Sequence, residues 1–311
     1  MSLGDFYQRV STMRNHISLL AAGLLAASST FANISIDTVY ENLVLGDNPV
    51  LYMRFESFVD SPEATGATVV DNSTVVTNSA TVSGASDGVG YGLVYEDNSY
   101  NSGDNTLGRS AFIDNETPNN DASSIYRYVD VADYDAADVS AAITLEAWIN
   151  VDSTANKHGR IIDKNRTTSY MMAMRGGTGA IATDVYDADG NRMNFSNGSD
   201  MRSNGWTHHV STYDGSNWTW YENGSVVASE VGNFTTSIAN NDNVIRMFAR
   251  ANRYDRDRFT GRVDEIAIYD YALTSEQVSE HFAAATIVPE PSTFGLIFGA
   301  LTFGFVLIRR I

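Results

Sequence analysis

The sequence predicts an all-β fold, an antiparallel two-sheet sandwich or a barrel, and three observations favour it. More than ten short segments are rich in β-branched and aromatic residues, and several alternate apolar with polar positions. Turn-forming residues separate these segments, with 24 Gly in the chain and abundant Ser, Thr, Asn and Asp. Helical patterns do not alternate with the strands, which disfavours a parallel α/β sheet.

Composition excludes several classes of site. The chain has 311 residues, a formal net charge of −18 and no cysteine. It therefore has no disulfide, no thiolate metal site and no cysteine nucleophile. The acidic balance argues against nucleic acid as a partner, because binding requires clustered positive charge.

Both ends of the chain have the composition of export signals. Residues 1–32 hold Arg14, a short apolar run over 17–27 and a small-residue exit before Asn33, which predicts a secretory signal peptide. At the other end, Pro289-Glu290-Pro291 precedes an uncharged apolar run over 294–308, and Arg309 and Arg310 follow it. The run is short for a spanning helix, and its basic end places the body of the protein outside the cytoplasm.

Residues 289–311 resemble the PEP-CTERM sorting signal of Gram-negative bacteria, since motif, apolar helix and basic tip occur in order. The resemblance implies a transmembrane helix over 294–308 and transient anchoring in the inner membrane. It also implies recognition by an exosortase, and delivery to the cell surface or extracellular matrix. The alternative is a plain C-terminal membrane anchor.

The body, residues 33–288, is predicted as strands with one helix. The strands are expected at 50–55, 110–113, 126–131, 143–151, 160–163, 170–174, 179–186, 206–213, 218–222, 225–229, 244–249 and 262–269. Asn223-Gly224 predicts a tight hairpin turn, and Thr274 predicts the N-cap of a short C-terminal helix. The stretch over 57–109 is either a long insertion or a set of extra edge strands.

Four segments of the body resemble a LamG-like domain of the concanavalin A-like lectin/glucanase superfamily. They are the strand at 50–55, the region 111–151 around Ala147-Trp148-Ile149, the hairpins over 205–224, and the strand at 261–269 with its helix. The resemblance implies a two-sheet antiparallel jelly roll with a short C-terminal helix.

Catalysis is not expected, although relatives in the superfamily include glucanases. The glucanase pattern places three acids at alternate positions of one strand face, and the sequence has no such triplet. Glu146 is the single acid on its strand, opposite the apolar face, and is expected at a rim or surface.

Histidines are not expected to bind a metal, but a calcium ion bound by acidic residues is expected. His208 and His209 are adjacent on a strand and point to opposite faces, so they cannot share an ion. The resemblance implies a structural calcium bound by the acid of the last strand, Asp264, with Asp114 as a weaker second ligand.

Two groups of residues are candidates for carbohydrate binding. Trp218 and Trp220 share one strand face and form either an aromatic platform or part of the core. The segment 246–262 holds six arginines, and Arg253, Arg256 and Arg258 are candidates for binding the carboxylate or sulfate of an acidic polysaccharide. The alternative is a solvated loop neutralised by neighbouring aspartates.

The sequence thus predicts an exported, non-enzymatic module at the cell surface or in the extracellular matrix, binding carbohydrate or exopolysaccharide. One alternative is a purely structural matrix or adhesin-like protein without a specific ligand. Another is a divergent polysaccharide-degrading enzyme.

Overall fold

The fold is described by a computed structural model over residues 36–56, 73–96, 100–102, 105–113 and 127–286, with gaps at 156, 166–167, 197–198, 203, 233 and 254–255. The predicted signal peptide, Asp114, and the sorting residues Pro289, Glu290, Pro291, Arg309 and Arg310 lie outside these ranges. None of the described helices is both long and apolar enough to cross a membrane.

Two α-helices, one short 3-10 helix (Asp135–Ala137) and eighteen strands make up the described fold. The helices are α1 (Ile36–Gly46) and α2 (Ser275–Thr286). The strands are β1 (Leu51–Met53), β2 (Ser73–Val76), β3 (Gly88–Tyr91), β4 (Val94–Glu96), β5 (Asn101–Ser102), β6 (Asn105–Thr106), β7 (Ser110–Ile113), β8 (Tyr128–Val131), β9 (Ile143–Val151), β10 (Gly159–Asp163), β11 (Tyr170–Met174), β12 (Ile181–Tyr186), β13 (Arg192–Ser196), β14 (Thr207–Tyr213), β15 (Asn217–Glu222), β16 (Ser225–Val231), β17 (Ile245–Met247) and β18 (Gly261–Tyr269).

The strands form two large antiparallel sheets, as the sequence predicts. Sheet A has the order β16-β15-β14-β9-β18-β7-β4, and β1 also pairs with β18. Sheet B has the order β13-β12-β11-β10-β17-β8-β3-β2, while β5 and β6 form a small separate pair. Neighbours in these orders are often distant in sequence, as in a jelly-roll sandwich.

The main core lies between the two sheets. Alternate residues of each strand meet there, so that Leu145 and Ile149 of sheet A share one cluster with Met172 and Ile181 of sheet B. Burial of such apolar area, at about 25 cal/mol per Å², is the main force holding the sheets together.

A second apolar layer covers the outer face of sheet A, and the sequence did not predict its full extent. Helices α1 and α2 pack on each other and on this face, around buried residues such as Tyr40, Trp148 and Val278. Helix α2 begins as predicted: Thr274 Oγ1 accepts from the Gln277 N–H at 3.2 Å, and Gln277 Oε1 accepts from the Thr274 N–H at 2.9 Å. Helix α1 was not predicted.

The chain over 73–109 adds strands at sheet edges. Strands β2 and β3 extend sheet B, and β4 extends sheet A. Within its described part, this stretch therefore contributes strands to both large sheets. Strand β13 was also missed, although its five residues alternate between polar and apolar.

Candidate functional site

A cleft of about 210 Å³ opens on the outer face of sheet B. Strand alternation produces the cleft. Met172, Ile181 and Phe195, on three neighbouring strands, point into the core, so the residues next to them on each strand point outward. The lining is apolar at its floor and charged at its walls, and consists of His158, Arg160, Met171, Ala173, Met174, Arg175, Ala182, Asp184, Arg192, Arg250 and Asp257.

Two of the four arginines in the cleft are held by aspartates. Arg160 Nη2 lies 2.8 Å from Asp257 Oδ2, and its Nε lies 3.3 Å from Asp163 Oδ2. Arg192 Nη2 donates to both Asp184 oxygens, at 2.8 and 2.7 Å. These ion pairs fix the two guanidinium groups in place and neutralise them locally.

The other two arginines have no carboxylate partner among the described residues. Arg175 donates to the amide oxygen of Asn194, and the Arg250 guanidinium makes no ion pair there. Four arginines thus face the two lining aspartates, Asp184 and Asp257, and Asp163 behind Arg160, in a chain whose net charge is −18. The cleft is a locally cationic site on an acidic protein, which attracts anions.

The arginine-rich segment forms one wall of this cleft. Its turn is held by backbone hydrogen bonds from Arg250 N–H to Arg256 O at 3.1 Å, and from Arg253 N–H to Arg250 O at 3.0 Å. The Ala251 N–H donates to Asp163 Oδ2 at 3.3 Å, which fixes the turn over the face of β10. Two residues of this segment line the cleft, Arg250 and Asp257.

The three arginines proposed from the sequence lie beside the cleft and do not line it. Arg253 and Arg256 are exposed, and Arg258 is only 8% exposed. Sequence reasoning found the segment but missed Arg160, Arg175 and Arg192, because strand pairing across sheet B brings these distant residues together.

The candidate aromatic platform is part of the core. Trp218 is 1% exposed and Trp220 is 0% exposed, both between the sheets. Trp218 Nε1 lies 3.0 Å from Met193 Sδ, and Trp220 packs against Phe195. A ring that solvent cannot reach cannot stack on a sugar, so the alternative of core packing applies to both.

Glu146 is buried, and its prediction as a rim or surface residue was wrong. It is 0% exposed beneath the two helices, because α1 and α2 cover the face of sheet A that the sequence left open. Its carboxylate lies within hydrogen-bond distance of four side chains: Tyr40 at 3.0 Å, Tyr269 at 3.0 Å, His208 at 2.8 Å and His281 at 3.0 Å.

Charge partners keep the buried Glu146 ionised. Burial alone raises its pKa, but the adjacent His281 and the hydrogen bonds from His208 and His281 outweigh this and hold the pKa well below its usual value. Burial lowers the pKa of His281, but Glu146 and Asp47 together raise it above its usual value. Asp47 Oδ2 lies 3.0 Å from His281 Nε2, so one histidine joins α2 to β9 and to the end of α1.

His208 and His209 point to opposite faces of sheet A, as predicted. His208 faces Glu146, whereas His209 lies in the main core beside Trp220. Neither ring nitrogen of His209 has a hydrogen-bond partner among the described residues. Burial, and then the charge of His208, lower the pKa of His209 to about 3.

A cluster of three carboxylates includes Glu265 of the last strand, the residue next to the predicted calcium ligand Asp264. Asp37, Glu56 and Glu265 each place a carboxylate oxygen within 4.8 Å of the others. The buried Glu265 is paired with Arg54 at 3.4 Å, and burial raises the pKa of Glu56 to about 7.

This arrangement bears on the predicted calcium. Asp264 Oδ1 accepts from the Glu265 N–H at 2.8 Å, and no ligand set gathers around Asp264 among the described residues. Carboxylate oxygens suit calcium, but Arg54 already supplies a positive charge to two members of the Glu265 cluster. The calcium site at Asp264 and Asp114 remains a prediction, since Asp114 lies outside the described residues.

Comparison with known proteins identifies the fold. Residues 122–279, half of the chain, match the Laminin G 3 family model, described as the concanavalin A-like lectin/glucanases superfamily. The binding domain of Paraclostridial Mosquitocidal Protein 1 is similar in structure, with a TM-score of 0.54 and 15% identity over 76% of this chain and 52% of that one.

The binding domain of botulinum neurotoxin serotype D aligns with a TM-score of 0.48 and 10% identity, over 77% of this chain and 51% of that one. The chain thus spans about half the length of these solved domains. No curated protein matches it. At such identities the likeness concerns the fold alone.

Proposed function

Since the chain belongs to the concanavalin A-like lectin/glucanases superfamily, we propose that it is a non-catalytic module that binds an acidic polysaccharide in the cleft on sheet B. The observation that carries the proposal is the meeting of four arginines on one face of a chain with a net charge of −18. The ligand class is a glycan bearing carboxylate or sulfate groups.

The chemistry of the lining supports this ligand class. Arg175 and Arg250 can each offer a planar fork of N–H donors, which matches the two oxygens of a carboxylate or sulfate. Met171, Ala173 and Ala182 form the buried floor beneath these arginines, so the contacts expected with the ligand are polar ones. The ion pairs of Arg160 and Arg192 stiffen the walls, which lowers the entropy lost on binding.

The available carboxylates do not favour glycoside hydrolysis. Such enzymes need one protonated and one ionised carboxyl group flanking the scissile bond. Asp184 and Asp257, the two acids of the cleft, each form an ion pair with an arginine, so neither carboxylate is placed to act alone on a glycosidic bond. Glu146 lies buried on the other sheet. These points support a binding role over the divergent-enzyme alternative.

The proposed location follows from the two ends of the sequence. A signal peptide over 1–32 and a PEP-CTERM-like tail over 289–311 support export, transient anchoring in the inner membrane, and processing by an exosortase. The destination is then the cell surface or the extracellular matrix, where the protein would meet acidic exopolysaccharide, the ligand class proposed for the cleft. A purely structural role at the same location is the alternative.

The test is binding to polygalacturonate, a carboxylated glycan, with neutral dextran as the comparison ligand. The double variant Arg175→Gln/Arg250→Gln should weaken binding to polygalacturonate at least about 10- to 100-fold, because even one charged hydrogen-bonding group contributes about 1.5–3 kcal/mol and the two are not fully additive. Binding should also weaken as salt is raised.

The matched control is Arg202→Gln/Arg262→Gln, which removes the same charge outside the cleft. Equal loss in both double variants would show that only net charge matters and would refute the cleft. No binding to any acidic glycan would favour the structural alternative. Release of reducing sugar from polygalacturonate would favour the enzyme.

A further inference from the structure

Helix α2 is attached to the body of the protein by few large apolar side chains. Its buried residues are three small apolar side chains and one histidine: Val278, Ala284, Ala285 and His281. Phe282 is partly buried and stacks on Trp148, with 5.9 Å between the ring centroids. Because a helix that buries little apolar area gains little from it, α2 depends on its polar contacts to remain docked.

His281 is the centre of these polar contacts. It is 0% exposed, and its Nδ1 lies 3.0 and 3.1 Å from the two carboxylate oxygens of Glu146 on β9. Its Nε2 lies 3.0 Å from Oδ2 of Asp47, the residue that follows α1. An ionised carboxylate only accepts hydrogen bonds, so both ring nitrogens must carry a proton to make both contacts. The geometry therefore requires the imidazolium form of His281.

The two histidines beside Glu146 differ in this respect. His208 Nε2 lies 2.8 Å from Glu146 Oε1, whereas His208 Nδ1 has no hydrogen-bond partner among the described residues. One proton, on Nε2, is enough for the contact of His208, and a second proton on Nδ1 would be buried without an acceptor. Of the two histidines, His281 is the one whose contacts need the positive charge.

The titratable groups that surround His281 come from every element packed against it. They are Glu146 on β9, His208 on β14, Tyr269 on β18, Tyr40 on α1 and Asp47 after α1. Burial, and then the charge of Glu146, raise the pKa of Tyr40 and of Tyr269 well above the usual value, so both hydroxyls keep their protons. On α2 itself, the charged residues Glu276 and Glu280 are exposed. The group in this site that changes charge as pH rises from neutral is therefore His281.

We propose that His281 is a pH-sensitive switch, which holds α2 on sheet A while it is protonated and releases the helix when it loses that proton as pH rises. Deprotonation removes one of its two hydrogen bonds. It also leaves the carboxylates of Glu146 and Asp47 without the cation that lies between them. Release of α2 exposes the part of the second apolar layer that this helix covers, including Trp148.

The direction of the switch follows from the pKa of His281. Burial lowers this pKa, but Glu146 and Asp47 together raise it above its ordinary value of about 6.5. When α2 is released, the imidazole returns to that ordinary value. The docked state therefore gains its full stabilisation below about pH 6.5, and this gain is lost as pH rises through the pKa of the docked histidine.

Helix α1 should stay in place when α2 leaves. Arg54, which follows β1, forms ion pairs with Asp37 and Glu41 of α1. Arginine remains charged over the whole range in which a histidine titrates, so these ion pairs persist. The change is therefore confined to α2, the last described element of the chain.

The test is hydrogen exchange of the full chain, with mass spectrometry of peptides from Ser275–Thr286 and correction for the intrinsic effect of pH. Above about pH 6.5, the protection factor of α2 should fall about tenfold per pH unit, the slope for one proton, until His281 is neutral in the docked state. Protection should also be lower in α2 than in β11 at each pH. A pH-independent protection factor in α2 would overturn the proposal, and protection equal to that of β11 would show that α2 leaves only on global unfolding.

Two variants separate the switch from a merely structural role. His281→Gln keeps a hydrogen-bond donor but no charge, so its α2 protection should be about 10- to 100-fold lower at pH 6.5 and should not change with pH. His158→Gln, at an exposed position, should keep the wild-type slope. The wild-type slope in His281→Gln would refute the assignment.

A measurement on the wild type alone covers the case in which His281→Gln does not fold. Nitrogen NMR of the imidazole rings at pH 6.5 should show protons on both nitrogens of His281. A single proton on His281 at this pH would refute the switch.

Discussion

His209 should limit the stability of this protein in acid. It lies in the main core at 0% exposure, beside Trp220, and both ring nitrogens lack a hydrogen-bond partner among the described residues. Replacement by leucine keeps a similar volume and removes two unsatisfied polar atoms. We expect His209→Leu to be at least as stable as the wild type near neutral pH, since each such atom costs about 1–3 kcal/mol and the lost ring contact costs about 1 kcal/mol.

The larger effect is the change with pH. Burial lowers the pKa of His209 from 6.5 to about 3. Below about pH 6.5 the unfolded chain therefore binds a proton that the folded chain refuses, and each unit of acidification costs about 1.4 kcal/mol. Between about pH 7 and about pH 4 this amounts to about 3 kcal/mol, which is lost by the wild type and kept by His209→Leu.

Urea denaturation at the two pH values, followed by tryptophan fluorescence, measures this difference. All other titrating groups are shared, so their contributions cancel when the variant is compared with the wild type. His158→Leu, an exposed histidine on sheet B, serves as the control and should follow the wild type. If His209→Leu and the wild type lose equal free energy of unfolding on acidification, the assignment of the acid sensitivity to His209 is wrong.

Two further perturbations test the polar centres of sheet A. Glu146→Ala removes the acceptor shared by four buried side chains and should lower the free energy of unfolding, measured in urea, by about 3–5 kcal/mol. The control Glu280→Ala, at an exposed position, should change it by no more than about 0.5 kcal/mol. A similarly small loss for Glu146→Ala would contradict the network. As pH rises from about 4.5 to about 7, Glu56→Gln should become more stable to unfolding than the wild type, because in the wild type the unfolded chain loses the Glu56 proton before the folded chain does. Partial exposure limits this gain in the free energy of unfolding to about 1–2 kcal/mol. A pH-independent difference would contradict this. In an Asp264→Asn variant, loss of a calcium-induced rise in Tm would support the predicted calcium ligand on the last strand.

Close backbone approaches show how far local sequence signals reach. Asn223 and Gly224 both adopt positive φ, 49° and 74°, as the predicted hairpin turn requires. A Cβ on Gly224 would lie 2.8 Å from Phe282 Cβ of helix α2. The turn was therefore predictable from two residues. Its close packing against helix α2 was not, because the contact joins Gly224 to Phe282, more than fifty positions away.

Local patterns determined most strand positions, the α2 cap and the two-sheet class, because period-two alternation and capping act between residues a few positions apart. The opposite orientations of His208 and His209 followed from the same period. Helix α1 escaped prediction because its helical form depends on packing against α2 and sheet A.

The sequence by itself determined an all-β body with an arginine-rich segment near its last strand, and export signals at the two ends remain its prediction. Tertiary structure decided which polar residues meet. Sheet B brings Arg160, Arg175 and Arg192 to one face beside Arg250, and the helical layer buries Glu146 among its donors. The physical reason is that strand order and layer stacking join residues far apart in the chain, and local alternation fixes only the face on which each side chain lies.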